Sequence, residues 1–178
     1  MHRHTLSAYF SCVFHWLCWP LYLLGCSACS LLHPAPSPAE STIAQAWVAV
    51  GKEYLAEGDM SGARQALDHA RLFDDTQPAL WHALALCAQL EHNQPIAHSL
   101  YRQALSWAEQ HAENTQNNDR EYVALLNNHA RLLYDEGAIY EACAEFDRAA
   151  RYPSGVSNPI TVQNLTLCHT TSAEPSSS

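Results

Sequence analysis

The chain has 178 residues, a length typical of one domain, and 48% of them are apolar, which is enough for a sizeable core. It carries 18 Asp and Glu against 9 Lys and Arg, so its formal net charge is −9 at pH 7. This acidic balance argues against a nucleic-acid-binding protein, because such proteins neutralise phosphates with clustered Lys and Arg.

The first 25 residues are predicted to be a secretory leader. They contain Arg3 and no acidic residue, and a mostly apolar run extends from Phe10 to Leu24. As a helix this run would span about 22 Å at about 1.5 Å per residue, which is short of the roughly 30 Å hydrocarbon core of a bilayer. A cleaved signal peptide therefore fits the run better than a membrane span.

The leader ends in Leu-Leu-Gly-Cys, residues 23–26. A leucine three positions before a cysteine, with a small residue directly before it, resembles the bacterial lipobox. The resemblance implies cleavage before Cys26, lipids on its thiol and on the new amino terminus, and stable membrane anchoring. Because Ser27 follows, it also implies an outer-membrane location facing the periplasm. Three alternatives stay open: a signal anchor retained to Leu32, an ordinary signal peptide cut elsewhere, and a weaker second lipobox at Cys29.

Two polar segments flank the remaining chain. Residues 26–42 are rich in proline and serine and are predicted to form an extended tether. At about 3.1 Å per residue, such a tether could hold the domain on the order of 50 Å from the bilayer. Residues 170–178 have a low-complexity polar composition and are predicted to be disordered.

Residues 43–169 contain an internal repeat of 34 residues, seen in the spacing of Trp47 and Trp81. Large residues recur at helical spacing, and small ones let a second, antiparallel helix approach. The pattern resembles the tetratricopeptide repeat (TPR). It predicts an all-α TPR solenoid of about three helix-turn-helix repeats with a partial fourth that caps it. The predicted repeat core is Trp47, Gly51, Tyr54, Ala63, Trp81, Ala97, Tyr101, Ala104, Ala142 and Phe146.

The predicted repeats differ in length. They cover residues 44–77, 78–122 and 123–156, and the partial fourth covers 157–169. The second repeat contains an insertion near residues 106–121. Part of this insertion is predicted to lengthen the preceding helix, and "ENTQNND", residues 113–119, to form a polar loop. That loop is either simply solvated or contacts a partner.

Proteins of the TPR class bind extended peptides or partner helices on the concave face lined by the first helix of each repeat. The resemblance therefore implies a protein partner. A grip on a terminal carboxylate is not favoured, because Lys52, Asn127 and Arg131 lack a matching base in the second repeat. The predicted partner-binding residues are Val48, Lys52, Leu55, His82, Leu86, Gln89, Asn127, Arg131 and Tyr134.

Residues 125–142, "LLNNHARLLYDEGAIYEA", are similar to the segment LNNYGxFLYExxxYxEA of the PilF/PilW-type type IV pilus biogenesis lipoproteins. That family has a lipoprotein signal and a TPR superhelix, and its members act as pilotins, which help the outer-membrane secretin to localise and assemble. The resemblance implies a secretin or pilus assembly component as partner. The chain departs from the family at His129 and Ala130, in its insertion and in having fewer repeats. Two alternatives stay open: another TPR lipoprotein adaptor of the cell envelope, and a signal-anchored TPR regulatory subunit.

The remaining cysteines and histidines have no ligand spacing typical of a metal site. Cys87 and Cys143 are predicted to be buried thiols, without a disulfide framework. His129 is predicted to be packed in the core, and His92 and His98 to flank a turn between helices. No catalytic motif is present. The sequence therefore predicts no enzyme, no metal, no cofactor and no small-molecule substrate.

Overall fold

The computed structural model describes residues 35–110 and 116–171. This part of the chain forms eight helices and no strand, and none of its helices is long and apolar enough to cross a membrane. The predicted leader and Cys26 lie outside the described residues. The helices are α1 Pro38–Glu57, α2 Met60–Phe73, α3 Pro78–Leu90, α4 Gln94–Gln110, α5 Gln116–Asp135, α6 Ile139–Ala150, α7 Pro153–Val156 and α8 Pro159–Thr171.

The helices form a row of hairpins. α1 packs against α2, α3 against α4, and α5 against α6, so each pair is one repeat. The first helices also touch their neighbours, α1 with α3, α3 with α5, and α5 with α8. In the described part of the chain, the backbones of the second helices of successive repeats lie further apart, and an ion pair between Arg148 of α6 and Glu109 of α4 joins two of them. The row therefore curves with the first helices on its concave side, and α8 takes the place of a fourth first helix.

The core follows the repeat pattern. Eight of the ten predicted core residues are buried, and Trp47 is partly buried against the same core. Gly51 is needed for close packing, since a Cβ atom there would lie 2.8 Å from the Leu67 side chain across the α1–α2 contact. Tyr54 is the exception to the prediction and is 36% exposed. Its ring lies against Gly62, and no earlier described helix covers that side of α1.

The turns inside the three repeats place equivalent residues in a left-handed conformation. Gly58 has φ +80° and Gly137 has φ +85°, but the second repeat has His92 at φ 60°. A side chain there is strained by the contact between Cβ and the following carbonyl oxygen, whereas glycine is not. His92 thus lies within the turn that it was predicted to flank, while His98 belongs to α4.

This difference between the turns predicts opposite effects of two matched substitutions. His92→Gly should raise the free energy of unfolding by about 1 kcal/mol, and Gly137→Ala should lower it by about the same amount. His92 is exposed, so little packing is lost. Urea unfolding at pH 7 measures both. A destabilising His92→Gly would show that the imidazole has a role that outweighs the backbone strain.

Helix boundaries differ from the prediction at three places. α1 begins at Pro38, so residues 38–42 of the predicted tether are helical. Proline suits the first position of a helix, and Glu40 lies in the first turn, where a negative charge is favourable. α4 runs to Gln110, as expected of a lengthened helix, but residues 116–119 belong to α5 and not to a loop. α8 extends to Thr171, two residues into the predicted tail.

The cysteine prediction was wrong at Cys143. Cys143 of α6 and Cys168 of α8 form a disulfide, with their Cα atoms 5.7 Å apart. The two residues are 25 positions apart in the sequence, and this spacing is not one that predicts a disulfide. The packing of α8 on α6 brings them together. Cys87 is a free buried cysteine, as predicted, and burial raises the pKa of its thiol. The disulfide fixes the cap helix to the third repeat.

Candidate partner-binding surface

The predicted partner-binding residues lie on the concave side but divide into two groups. Val48, His82 and Asn127 are only 4%, 4% and 3% exposed. They occupy the same position of the repeat, at the contact between neighbouring first helices, so they pack inside the protein and are not surface residues. The residues that stay partly or fully exposed are Lys52, Leu55, Leu86, Gln89, Arg131 and Tyr134.

Asn127 joins α5 to α8. Its Nδ2 donates to the Val123 carbonyl oxygen and to Thr161 Oγ1, both at 2.8 Å. Its Oδ1 accepts a bond of 3.1 Å from the Asn164 amide. Thr161 and Asn164 are themselves buried. A buried amide is tolerated only where such partners satisfy it, so this network fixes the position of the cap helix.

Asn128 joins the same helix to the preceding repeat. Its Nδ2 lies 2.8 Å from His82 Nε2 on α3. The adjacent asparagines therefore point in opposite directions along the row, one to each neighbouring first helix. This gives the double asparagine of residues 125–142 a structural role at two repeat interfaces.

Removing the first asparagine should cost more stability than removing the second. Asn127→Ala leaves the buried Thr161 and Asn164 groups without their partner, and we expect a loss of about 2–3 kcal/mol. Asn128→Ala removes one contact of a half-buried side chain, and we expect about 0.5–1.5 kcal/mol. Chemical denaturation of both variants measures the difference, and equal losses would contradict the buried network.

Glu121 lies between the first and second repeats, although it belongs to α5. Its Oε2 is 3.1 Å from Lys52 Nζ on α1, and its Oε1 is 2.7 Å from His82 Nδ1 on α3. One carboxylate from the inserted region thus connects three successive first helices. The predicted polar loop ended at residue 119, and Glu121, at the end of the predicted insertion, lies on the concave side.

This arrangement stabilises the ionised carboxylate of Glu121. Burial alone would raise its pKa, but the hydrogen bond and charge of His82, together with Lys52, outweigh burial and hold the pKa at about 2. The ordinary value is 4.5. The carboxylate therefore contributes stability that is fully present above pH 4.5 and is lost as the pH falls toward 2.

A pH titration of stability tests this contribution. At pH 7 we expect Glu121→Gln to lower the free energy of unfolding by about 1–2 kcal/mol, a value discounted for the partial exposure of the pair. The difference between the two proteins should shrink between pH 4.5 and pH 2. A difference that stays constant over this range would show that the effect comes from packing and not from charge.

A cavity of about 300 Å³ opens beside Glu121 on the concave side. Its walls come from α1, the start of α3, the end of α4 and α5. Most of its surface is apolar, and its lining also includes amide and carboxylate side chains. The lining residues are Gln45, Gln77, Pro78, Ala79, Ala108, Glu121 and Tyr122.

The other exposed polar residues of the predicted face have partners within the protein. Arg131 pairs with Asp135 one turn further along α5, at 2.9 Å. Gln89 accepts a bond of 2.7 Å from the Tyr101 hydroxyl. Leu55, Leu86 and Tyr134 of the predicted face supply partly exposed apolar surface.

His129 is buried, as predicted, and is held by polar partners. Its Nδ1 lies 2.9 Å from Glu145 and its Nε2 lies 3.1 Å from His98 Nδ1. The Tyr101 ring packs against it at 5.1 Å between centroids. In the part of the chain that the structure describes, no three His, Cys, Asp or Glu side chains are arranged to hold a metal ion. This cluster joins the second and third repeats.

Comparison with known proteins identifies the class of fold. No protein-family model matches the chain, and no curated protein matches it. Among solved structures, PilF of Pseudomonas aeruginosa superposes with a TM-score of 0.62 at 23% identity, over 75% of this chain and 55% of that chain. This chain thus spans about half the length of the PilF structure.

Two smaller domains match over almost their whole length. The first TPR domain of Spaghetti (RPAP3), bound to the HSP90 peptide SRMEEVD, has a TM-score of 0.61 at 16% identity, over 75% of this chain and 98% of that chain. The N-terminal domain of stress-induced protein-1 from C. elegans has a TM-score of 0.58 at 14% identity, over 75% and 99%. The chain is an all-α TPR solenoid, and the predicted fold class is confirmed.

Sequence reasoning missed the residues that shape the concave side around the insertion. The predicted face did not include Glu121, Tyr122 or Asn128. Glu121 pairs with Lys52 and His82, and Asn128 contacts the other ring nitrogen of His82. Repeat periodicity fixes which residues of α1 and α3 face inward. It does not fix the register of a helix that follows an insertion, so no signal in the sequence pointed to Glu121.

Proposed function

We propose that the protein is a lipid-anchored outer-membrane TPR scaffold, facing the periplasm, that binds a pilus assembly component. In this proposal it acts as a pilotin and helps a type IV pilus secretin to localise and assemble. Lipidation of Cys26 would hold the solenoid at the membrane where the secretin forms. A domain that acts only by binding other proteins can assist assembly if it is held where the assembly takes place.

The strongest support for the proposal comes from the third repeat. Its double asparagine belongs to the segment that is similar to the PilF/PilW-type proteins, and both side chains make contacts between repeats. The PilF structure is among the solved structures that share the fold. In this chain, these contacts give the double asparagine a physical reason, because it joins the third repeat to both of its neighbours.

The disulfide supports the proposed compartment. Disulfides form and persist in the periplasm and other oxidising environments, and they are rare in the cytosol. Cys143 and Cys168 join two helices of the domain itself, so the domain would fold on the oxidising side of the inner membrane. This agrees with a secretory leader and a periplasm-facing scaffold.

A pair of matched cysteine variants tests the anchor. Cys26→Ala should abolish palmitate labelling and outer-membrane fractionation, while Cys29→Ala, three residues further on, should leave both unchanged. If Cys29→Ala abolishes the labelling instead, the lipid is on the second cysteine. If Cys26→Ala stays labelled and in the outer membrane, the proposed anchor is wrong.

Affinity capture tests the partner. The full chain, tagged at its carboxyl end and expressed in its own host, should retain the type IV pilus secretin from a detergent extract of the envelope. The matched control is the Phe146→Ala variant, whose third repeat should be disrupted. Retention of other envelope proteins without secretin would instead favour a general envelope adaptor.

A further inference from the structure

A basic side chain of α2 and one of α4 each bind the acidic residue that follows the next first helix. Arg64 of α2 donates to Glu91, directly after α3, with its Nε 2.7 Å from Oε1. His98 of α4 holds the position of Arg64 one repeat later, and its Nε2 lies 2.8 Å from Oε2 of Glu136, directly after α5. The same position of the second helix therefore joins the first repeat to the second and the second to the third.

The third junction between repeats uses this position as well. Cys143 directly follows the core alanine of α6, as Arg64 and His98 do in α2 and α4. It forms the disulfide with Cys168 of α8, so a covalent bond takes the place of the polar pair. In the described part of the chain, every junction between repeats thus has a side-chain bond from this one position.

The start of the row carries the acidic half of such a pair. Glu57 is the last residue of α1 and precedes the left-handed residue of the first turn, as Glu91 and Glu136 do in the other two turns. Glu57 is exposed, and it forms no ion pair with the described residues. A helix that packed on α1 as α2 packs on α3 would place its basic residue beside Glu57.

The outer face of α1, on the side away from α3, is apolar. Ile43, Trp47, Val50 and Tyr54 recur every three or four residues and line one side of the helix. Ile43, Val50 and Tyr54 are 41%, 40% and 36% exposed. Terminal repeats of soluble solenoids have a polar outer face, so this apolar stripe indicates a surface that another helix covers.

The later first helices show what kind of helix covers such a face. Val50 is in register with Leu84 of α3 and His129 of α5, which are only 7% and 6% exposed. α3 packs on α2, and α5 packs on α4. The ring of Tyr101 on α4 lies 5.1 Å from that of His129. In both repeats the face is therefore covered by the second helix of the preceding repeat.

The two covering helices share a sequence pattern. A small residue precedes the basic one, a large residue follows the basic one by three positions, and a second small residue follows after three more. The small and large residues are all 0% exposed. The residues are Ala63, Arg64, Leu67 and Ala70 in α2, and Ala97, His98, Tyr101 and Ala104 in α4.

We propose that the outer face of α1 binds an amphipathic helix of a partner protein, which packs there as the second helix of a preceding repeat would. The bound helix carries the same pattern, with a Lys, Arg or His that pairs with Glu57 and a large apolar residue that covers Val50. Glu53, one turn before Glu57, is also exposed and favours a cationic helix. The inference goes beyond the proposed function, because this helix need not belong to a secretin.

Other occupants fit the outer face less well. In a second copy, α2 and α4 are already packed on their own first helices. Two α1 faces brought together would both carry Glu53 and Glu57, and these like charges would oppose the contact. Residues 1–34 do not contain the pattern. The charges and the register of the repeats therefore favour a basic amphipathic helix of a partner.

A charge-swap experiment tests the pairing with Glu57. The probe is a fluorescein-labelled peptide that copies α2, residues 59–74, and its binding to the full chain is measured by fluorescence anisotropy. Wild type should bind this peptide about tenfold more tightly than the Arg64→Glu peptide. Glu57→Arg should reverse the preference. Glu141→Arg makes the same charge change at an exposed site on α6 and should keep the wild-type preference.

Two results would overturn the proposal. One is equal binding of the two peptides by wild type, or a preference that Glu57→Arg does not reverse. The other is a wild-type dimer in analytical ultracentrifugation that Val50→Glu converts to a monomer, since this would assign the outer face to a second copy. We expect wild type and Val50→Glu to be monomeric, and Val50→Glu to bind the wild-type peptide about tenfold more weakly.

An insertion variant keeps the test decisive if the free peptide binds too weakly to measure. A copy of residues 59–74 and a linker of about eight Gly and Ser residues are placed between Pro36 and Ser37, which gives the copy a millimolar effective concentration. Its Tm should be about 3 °C higher than that of the same insertion carrying Arg64→Glu in the copy. Glu57→Arg in α1 should reverse this order, and equal Tm values in both backgrounds would contradict the proposal. That outcome would leave capture of a secretin unaffected, so the two failures are distinguishable.

Discussion

Phe146→Ala should lower the free energy of unfolding by about 3–5 kcal/mol, as expected when a fully buried aromatic side chain is truncated. Phe146 is 0% exposed and lies in the cluster that joins the third repeat to the cap helix. Ala142 and Ala130 are too small to fill the space that the ring would leave. The substitution should therefore loosen both α6 and α8.

Tyr140 provides a matched control on the same helix. It is also aromatic, but it is 86% exposed, and Tyr140→Ala should change the stability by less than about 0.5 kcal/mol. Urea unfolding followed by circular dichroism measures both variants under oxidising conditions. Similar losses for the two variants would contradict the assignment of Phe146 to the core.

Loss of the disulfide should have the second large effect. Replacing both Cys143 and Cys168 with alanine should lower the free energy of unfolding by about 3 kcal/mol, because the crosslink restricts the unfolded chain over its 25-residue separation. Reduced wild-type protein should be about as unstable as the double variant. Unfolding with and without dithiothreitol measures both.

The reductant provides its own control. The double variant should be insensitive to dithiothreitol, whereas Cys87→Ala should remain as sensitive as wild type, because Cys87 is a free thiol. A double variant that is still destabilised by reductant would place the important disulfide elsewhere. If dithiothreitol does not change the stability of the wild-type protein, the disulfide between Cys143 and Cys168 does not form.

The repeat arrangement could be predicted from the sequence because it depends on local spacing. Trp81, Ala97 and Ala104 recur at intervals set by helix geometry, and the structure buries them all. The same spacing placed Val48, His82 and Asn127 on the concave side. It could not show that this position lies at the contact between first helices, which depends on how closely neighbouring repeats approach.

Contacts between distant residues could not be predicted in this way. The disulfide needs α8 to pack on α6, and the carboxylate bridge needs the insertion to place Glu121 beside Lys52 and His82. Neither contact leaves a periodic signal. The exposure of Tyr54 has a related cause, since the repeat pattern describes an internal repeat and α1 is the first described helix.

We propose that this scaffold assists the assembly of a type IV pilus secretin, and a deletion strain tests this function. The most direct measurement is the amount of heat- and detergent-resistant secretin multimer in the outer membrane of a strain that lacks the gene, compared with its parent. We expect the multimers to be largely lost, and we expect wild-type protein to restore them while Cys26→Ala does not. Unchanged multimers in the deletion strain would contradict it.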